Sequence, residues 1–339
     1  MAEVLKLAYI GCGSIASSHL YGLKAGAPRT TITAAVDTDP LRATAIADET
    51  GAQVFLSLDE ALENGDFDAV DIMTPHHLHE PMAIACLEAG KHVLLEKPMA
   101  PTVDACDRIL AAAAASDKVF MVGENSQYWP EVLATDELLK DGAIGDVISV
   151  ITNFYVLPDD ESFTGEHPWR FDNALAGGGL VIDGGAHLIR PLRMWFGEIE
   201  TVIGAIGHPW KKMEDESLGH ALLQFESGKI GTFSCLMFDT VLGPSPFWRI
   251  TGTTGEIHVA GLYQNGVLLF DEQHPEGRML DGEWDDSAAS FIGEMADFEQ
   301  AVLDGKPLAA GPEVSLGELR TALAIYRSAK TRQWEKVWE

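Results

Sequence analysis

The chain is short of cysteines, of basic residues and of long apolar runs, and each shortage removes a class of protein. Its four cysteines, Cys12, Cys86, Cys106 and Cys235, are widely spaced and form no CxxC pair. That excludes a disulfide framework or a cysteine-built zinc site and fits reduced thiols. Lys and Arg number 23 against 52 Asp and Glu, a formal charge of −29. A field of that sign repels phosphate backbones and anionic headgroups, so neither nucleic acid nor a membrane is expected as a partner. The apolar runs are strand-sized, well short of the roughly 20 residues that cross a bilayer. Met1-Ala2-Glu3-Val4-Leu5-Lys6 leads directly into a strand, without the basic start and apolar stretch of a secretory signal, so a cytoplasmic protein is expected. No internal repeat is visible.

A chain of 339 residues, 46 % hydrophobic, is long enough for two cores of ordinary domain size. From Leu5 to Val122, short β-branched runs alternate with helical stretches. Strands are expected at Leu5–Ile10, Thr31–Val36, Val54–Phe55, Ala69–Met73, His92–Leu95 and Val119–Val122, with helices between them. That alternation predicts βαβ units, hence a parallel sheet covered on both faces. After Gly123 the pattern becomes longer strands joined by short turns, from Val147–Val156 to Val267–Phe270. One amphipathic helix, about Leu180–Phe196, interrupts them, and two helices close the chain near Ser290–Leu303 and Glu313–Arg332. The expected fold is therefore an α/β Rossmann domain over residues 1–123, followed by an α+β domain over 124–339 built on a large, open, mostly antiparallel sheet. With few helices to cover its far face, that second sheet predicts a homodimer or homotetramer.

Gly11-Cys12-Gly13-Ser14-Ile15-Ala16 fits the G-x-G-x-x-G/A turn between a strand and a helix. Gly11 permits the tight turn and Gly13 lets backbone approach a pyrophosphate. Ala16 lets the helix pack close to the sheet, and the helix N-terminus offers N–H groups to phosphate oxygens. Asp37 ends the second strand about 20 residues on, where a carboxylate accepts hydrogen bonds from ribose hydroxyls. A carboxylate there also repels a 2′-phosphate, and Arg42 is the only nearby cation. NAD is thus favoured over NADP as the cofactor.

Glu96-Lys97-Pro98 follows the strand His92–Leu95, and ligands of open parallel sheets sit at the carboxyl ends of strands. The segment Gly177–Arg190 is the second candidate. Projected as a helix, Asp183, His187, Arg190 and Met194 share one side and Val181, Ile182, Leu188, Ile189, Leu192, Trp195 and Phe196 the other. Asp183 and His187, as i,i+4 neighbours, would let a carboxylate orient an imidazole. The same stripe equally describes a solvated salt-bridge face. His76-His77-x-His79 invites a metal reading, but no Cys or carboxylate lies at ligand spacing and no metal is expected.

Taken together, these segments resemble the Gfo/Idh/MocA oxidoreductases, named for glucose–fructose oxidoreductase, inositol dehydrogenase and a rhizopine catabolism protein. The resemblance rests on the turn Gly11–Ala16, the strand-end Thr74-Pro75 with its His-rich loop, and Gly90-Lys91-His92-Val93 leading into Glu96-Lys97-Pro98. Trp169-Arg170 and the Gly-rich run into Asp183-x-x-x-His187 complete it. It implies an enzyme that moves a hydride between nicotinamide and a hydroxyl or keto carbon of a sugar, sugar derivative or cyclitol. Lys97, Asp183 and His187 are then the expected catalytic residues. Gly11, Gly13, Ser14, Ile15, Ala16, Asp37, Thr74, Pro75, His76, Glu96 and Lys97 would hold the cofactor. Gln127, Trp169, Arg170 and Arg190 would join the catalytic residues around the substrate. The departure is Arg190, where many relatives look acidic. Two rivals stay open: a glycosidase that uses transient oxidation, and a non-catalytic dinucleotide-binding sensor.

Overall fold

In a computed structural model, the residues described are 4–158, 168–240, 242–262, 264–282, 284 and 288–339. Strands β1 (Leu5–Ile10), β2 (Thr30–Val36), β3 (Gln53–Phe55), β4 (Ala69–Ile72), β5 (His92–Glu96) and β6 (Phe120–Gly123) form one sheet of order β3-β2-β1-β4-β5-β6. Every pairing in it is parallel. Between the strands run α1 (Ser14–Gly26), α2 (Pro40–Thr50), α3 (Leu58–Asn64), α4 (His79–Glu88) and α5 (Val103–Ala115). This order reverses direction between β1 and β4, which opens a crevice at their carboxyl ends. Local chemistry sets the helix starts. Asp39, Ser57 and Thr102 cap α2, α3 and α5 by accepting from backbone N–H groups, and Pro40 occupies the first turn of α2. Leu7, Ala8, Val70, Val93 and Leu94 are fully buried, as strands covered on both faces require.

The second sheet holds nine strands: β7 (Val147–Val156), β8 (Ile199–Gly207), β9 (Leu218–Phe225), β10 (Ile230–Met237), β11 (Ser245–Gly252), β12 (Glu256–Leu262), β13 (Gln264–Phe270), β14 (Arg278–Met279) and β15 (Glu335–Lys336). Their order is β14-β13-β12-β11-β7-β10-β9-β8-β15. Among the described residues, only β7 and β10 pair in parallel; the other pairings are antiparallel. Cross-strand neighbours Val202, Leu223, Val150, Ile250 and Ile257 line its buried face. Among the described residues, the helices after β6 are α6 (Pro130–Lys140), the short α7 (Asn173–Ala176), α8 (Ala186–Phe196), α9 (Ala289–Asp304) and α10 (Leu316–Thr331). Helix α6 was not expected from the sequence.

The chain divides into two compact units, 1–125 with 288–316, and 126–287 with 317–339. This corrects the expected single cut after residue 123. Helix α9 belongs with the first unit because it lies against α1, where glycines allow close approach. A Cβ at Gly22 would come within 2.5 Å of the Phe291 carbonyl oxygen, and one at Gly26 within 2.2 Å of that of Ile292.

Candidate active site

In the first unit, the turn after β1 is shaped by two glycines of different kinds. Gly11 has φ +92°, and a Cβ there would meet the Met73 carbonyl oxygen at 2.5 Å, so no other residue fits without strain. A Cβ at Gly13 would meet nothing within 4 Å: its backbone faces open space at the start of α1, and no side chain caps that helix. Ala16 is fully buried against the sheet. At the end of β2, Asp37 accepts one N–H on each oxygen, from Cys12 at 2.8 Å and from Asp39 at 2.8 Å. These bonds aim the carboxylate beside the turn and leave lone pairs for further donors. Arg42 is exposed and leans toward Asp39 at 3.7 Å.

The ends of β4 and β5 are tied together by histidine. His79 is buried with its Nδ1 2.9 Å from the Pro98 carbonyl and its Nε2 2.8 Å from that of Thr74. Burial lowers its pKa below the ordinary imidazole value. His76, also buried, packs its ring 5.6 Å from that of His79. The Thr74 hydroxyl is buried with no partner among the described residues, and its methyl lies 3.2 Å from where a Gly11 Cβ would stand. Glu96 accepts the Lys97 N–H at 2.9 Å on one oxygen and faces His19 at 2.8 Å with the other. Lys97 itself is half-buried at the carboxyl end of the sheet.

In the second unit, the Gly-rich run is a folded turn and not the beginning of a helix. Helix α8 starts at Ala186, so Asp183 stands in the turn that precedes it and only His187 stands on the helix. The glycines are there because space is lacking. A Cβ at Gly179 would lie 2.1 Å from the Glu216 carbonyl oxygen, and one at Gly185 2.2 Å from that of Val181. Buried Glu216 stitches the turn by accepting from the N–H groups of Gly179 (3.1 Å) and Val181 (2.9 Å) and from the Tyr326 hydroxyl (2.8 Å). Asp183 accepts from Arg170 Nε at 3.0 Å, and the Arg170 guanidinium lies 4.3 Å over the Trp169 ring. His187 is half-buried, its ring 6.1 Å from that of Trp129.

Gln127 and Arg190, expected around the substrate, are engaged with each other, and Arg190 also with Glu318, in this structure. Arg190 is 2 % exposed, donates twice to Glu318 (2.9 and 3.1 Å) and once to the side-chain oxygen of Gln127 (3.0 Å). The pair closes a buried network that Arg193 also enters through Glu318 and Glu198. A buried guanidinium committed to a carboxylate is costly to withdraw. Two groups that sequence reasoning missed are His19 and Glu294, both fully buried. The only local signal was a histidine in the buried stripe of α1 formed by Ala16, Leu20 and Leu23.

Comparison with known proteins now decides the family. Residues 5–124 match the model of the oxidoreductase family with an NAD-binding Rossmann fold, and residues 132–258 match the Gfo/Idh/MocA C-terminal domain. The chain belongs to the Gfo/Idh/MocA family. It is accordingly a nicotinamide-dependent oxidoreductase of the dehydrogenase and reductase kind. A crystal structure of an oxidoreductase from Thermotoga maritima has a TM-score of 0.87 at 28 % identity, covering 99 % of both chains. The 1,5-anhydro-D-fructose reductase of Ensifer adhaerens is 29 % identical over 97 % of each protein. Levoglucosan dehydrogenase of Pseudarthrobacter phenanthrenivorans is 35 % identical over 143 residues, which span 42 % of this chain and 36 % of that protein. The residues present fit the family's cofactor: the open face at Gly13, the carboxylate of Asp37 and the orphaned Thr74 hydroxyl suit a dinucleotide's phosphates and hydroxyls. Among the described residues, no group of three or more His, Cys, Asp or Glu side chains is placed to hold a metal ion.

Proposed function

We propose that this oxidoreductase works in the cytoplasm, prefers NAD to NADP, and interconverts a hydroxyl and a keto carbon of a sugar, sugar derivative or cyclitol. The observation that carries the reading is Lys97 at the carboxyl end of β5, in a sheet whose β1 turn and β2 end are shaped for a dinucleotide. Two relatives of the family are named for acting on anhydro-sugars, which supports the substrate class. Bound NAD supplies the carbon that accepts the hydride. In oxidation, the hydroxyl proton passes to His187 as the C–H bond breaks and the carbonyl forms; reduction runs the same steps in reverse. Asp183, braced by Arg170, orients the imidazole, and the Lys97 ammonium stabilises the charge that develops on oxygen. Ser14 and Ile15 would hold the cofactor's phosphates through their N–H groups, and Pro75, His76 and Glu96 would hold its nicotinamide end. Trp169 offers an apolar face to the substrate. We also propose a homodimer or homotetramer, joined through the outer face of the nine-stranded sheet.

The test is a panel of sugars, sugar acids and inositols with each nicotinamide, followed by the absorbance of the reduced cofactor. Asp37 should make NAD better than NADP by roughly tenfold, about one charge-assisted contact. On the best substrate, His187→Ala should lower turnover about 10²-fold with NADH binding retained. Near-native turnover of that variant would remove His187 from proton transfer, and equal use of NADP would remove Asp37 from selectivity.

A further inference from the structure

Behind Glu96 the first unit holds a buried group of ionisable side chains. His19 on α1 is completely buried, with Nδ1 2.8 Å from Asp71 Oδ2 and Nε2 2.8 Å from Glu96 Oε1. Asp71 on β4 and Glu294 on α9 are also completely buried, and a Glu294 oxygen lies 3.9 Å from His19 Nε2. The Phe291 ring, 5.2 Å from the imidazole, closes the remaining side. Tyr9 on β1, His79 on α4 and Glu124 just past β6 are further ionisable groups in electrostatic reach of the cluster.

The geometry restricts the protonation of the ring. Each imidazole nitrogen faces a carboxylate oxygen, and only a doubly protonated ring donates to both. Burial opposes that charge, but the carboxylates of Asp71 and Glu96 outweigh it and hold the pKa of His19 well above the ordinary value. Burial likewise pushes the Glu294 carboxyl up, which favours its neutral form beside the ion pair.

The contact has a consequence for Lys97. One Glu96 oxygen faces His19 and the other accepts the Lys97 N–H, so the backbone that carries the ammonium is held through Glu96. We propose that His19, bridged between Asp71 and Glu96, is a positioning residue for the hydride-transfer reaction: it fixes Glu96, and through Glu96 the placement of Lys97. The proposal rests on the reading of Lys97 as a participant in that reaction. It also links two parts of the site, because α1 begins at the phosphate-binding turn and carries His19 one turn further on. The element that receives the pyrophosphate is thereby hydrogen-bonded to the loop of the catalytic lysine.

The test combines a spectroscopic with a kinetic readout. In protein labelled with 15N-histidine, the imidazole resonance missing from His19→Gln should be that of a doubly protonated ring at pH 8, where an ordinary histidine of pKa about 6.5 is neutral. A neutral ring at that pH overturns the proposal, with or without a known substrate. In kinetics, His19→Gln and Glu96→Gln should each lower kcat about tenfold, and in His19→Gln KM and NADH affinity should change less than about threefold. The double variant should be no worse than about the more severe single, as expected of residues acting through one contact. Asp71→Asn, one step further back, should lower kcat about threefold and serves if His19→Gln does not fold. Unchanged kcat in His19→Gln, or losses that multiply in the double variant, overturn the proposal. If Lys97→Ala loses turnover while His19→Gln keeps it, only this inference falls. If Lys97→Ala keeps full turnover, the role of Lys97 falls and this inference with it.

Discussion

Glu294 brings a carboxyl group into a region where neither of its oxygens has a hydrogen-bond partner among the described residues. An ionised carboxylate in that setting costs several kcal/mol, so the group keeps its proton instead. The consequence for stability has a definite sign. Burial raises the folded-state pKa, whereas in the unfolded chain a glutamic acid ionises near pH 4.3. Above that value the folded protein holds a proton that the unfolded chain has released, so stability falls with rising pH until the folded pKa is passed. His19 acts with the same sign over a higher pH range. Its raised pKa contributes stability that is complete below about pH 6.5 and is lost only as pH climbs through the folded value. Glu294→Gln keeps the shape and removes the ionisation. Measured by urea unfolding at pH 5, 6 and 7, the variant should gain on the wild type by about 1.4 kcal/mol per pH unit. A stability difference independent of pH would mean that Glu294 is ionised in the folded protein.

The contact between α1 and α9 is an element-scale counterpart, because it is made by what is missing. In most helix interiors Gly→Ala gains up to about 1 kcal/mol in propensity. At Gly22 the added methyl would stand 2.5 Å from a backbone carbonyl, which cannot rotate away. Overpacking of that kind costs about 1–3 kcal/mol, so the sign reverses and Gly22→Ala should lose roughly 1–2 kcal/mol. A shift of the denaturation midpoint with unchanged slope checks this, and a gain in stability would show that the helices can part. The same contact marks the limit of reading the chain locally. The six parallel strands and their helices were legible because each element carries its own period, reinforced at α2, α3 and α5 by a capping side chain, as Pro40–Thr50 shows with Asp39 before it. The membership of 288–316 was not, since chain order places α9 after nine-stranded-sheet residues while packing places it on α1. Helix α6 was missed although Pro130 occupies its first turn, a position that suits proline. Asp183 was projected onto a helix that Gly184 and Gly185 delay until Ala186. Arg190 keeps its place on α8, but its ion pair was not foreseen. Its partner Glu318 is 128 residues away, beyond any local pattern.

For the whole molecule, the decisive balance is between its charge and the outer face of the nine-stranded sheet. A net charge of −29 opposes self-association at a distance, but at physiological ionic strength such repulsion is screened within about 8 Å. Short-range burial then decides. The sheet's inner face is filled, whereas the outer face carries a cross-strand row of Ile203, Leu222, Thr232 and Ile151. Leu222 is 44 % exposed and Ile151 42 %, and Ile230 in the adjacent row is 55 % exposed. Three of the four positions in this row are aliphatic, with only the Thr232 methyl and hydroxyl between Leu222 and Ile151, which clusters apolar surface more than the scattered exposed residues of an ordinary surface. Covering one such side chain contributes about 1.5–3 kcal/mol, so three of them suffice to offset a screened like-charge penalty. Two outcomes follow. Light scattering at micromolar concentration should report a dimer or tetramer whose association tightens as salt is raised from low to physiological strength, because screening removes repulsion and leaves burial intact. Leu222→Arg should shift the protein toward monomer while leaving NADH binding unchanged, since Leu222 lies in the second unit and the nucleotide turn in the first. A wild-type monomer at every salt concentration would rule out association through this face. An oligomer unaffected by Leu222→Arg would place the interface elsewhere on the molecule.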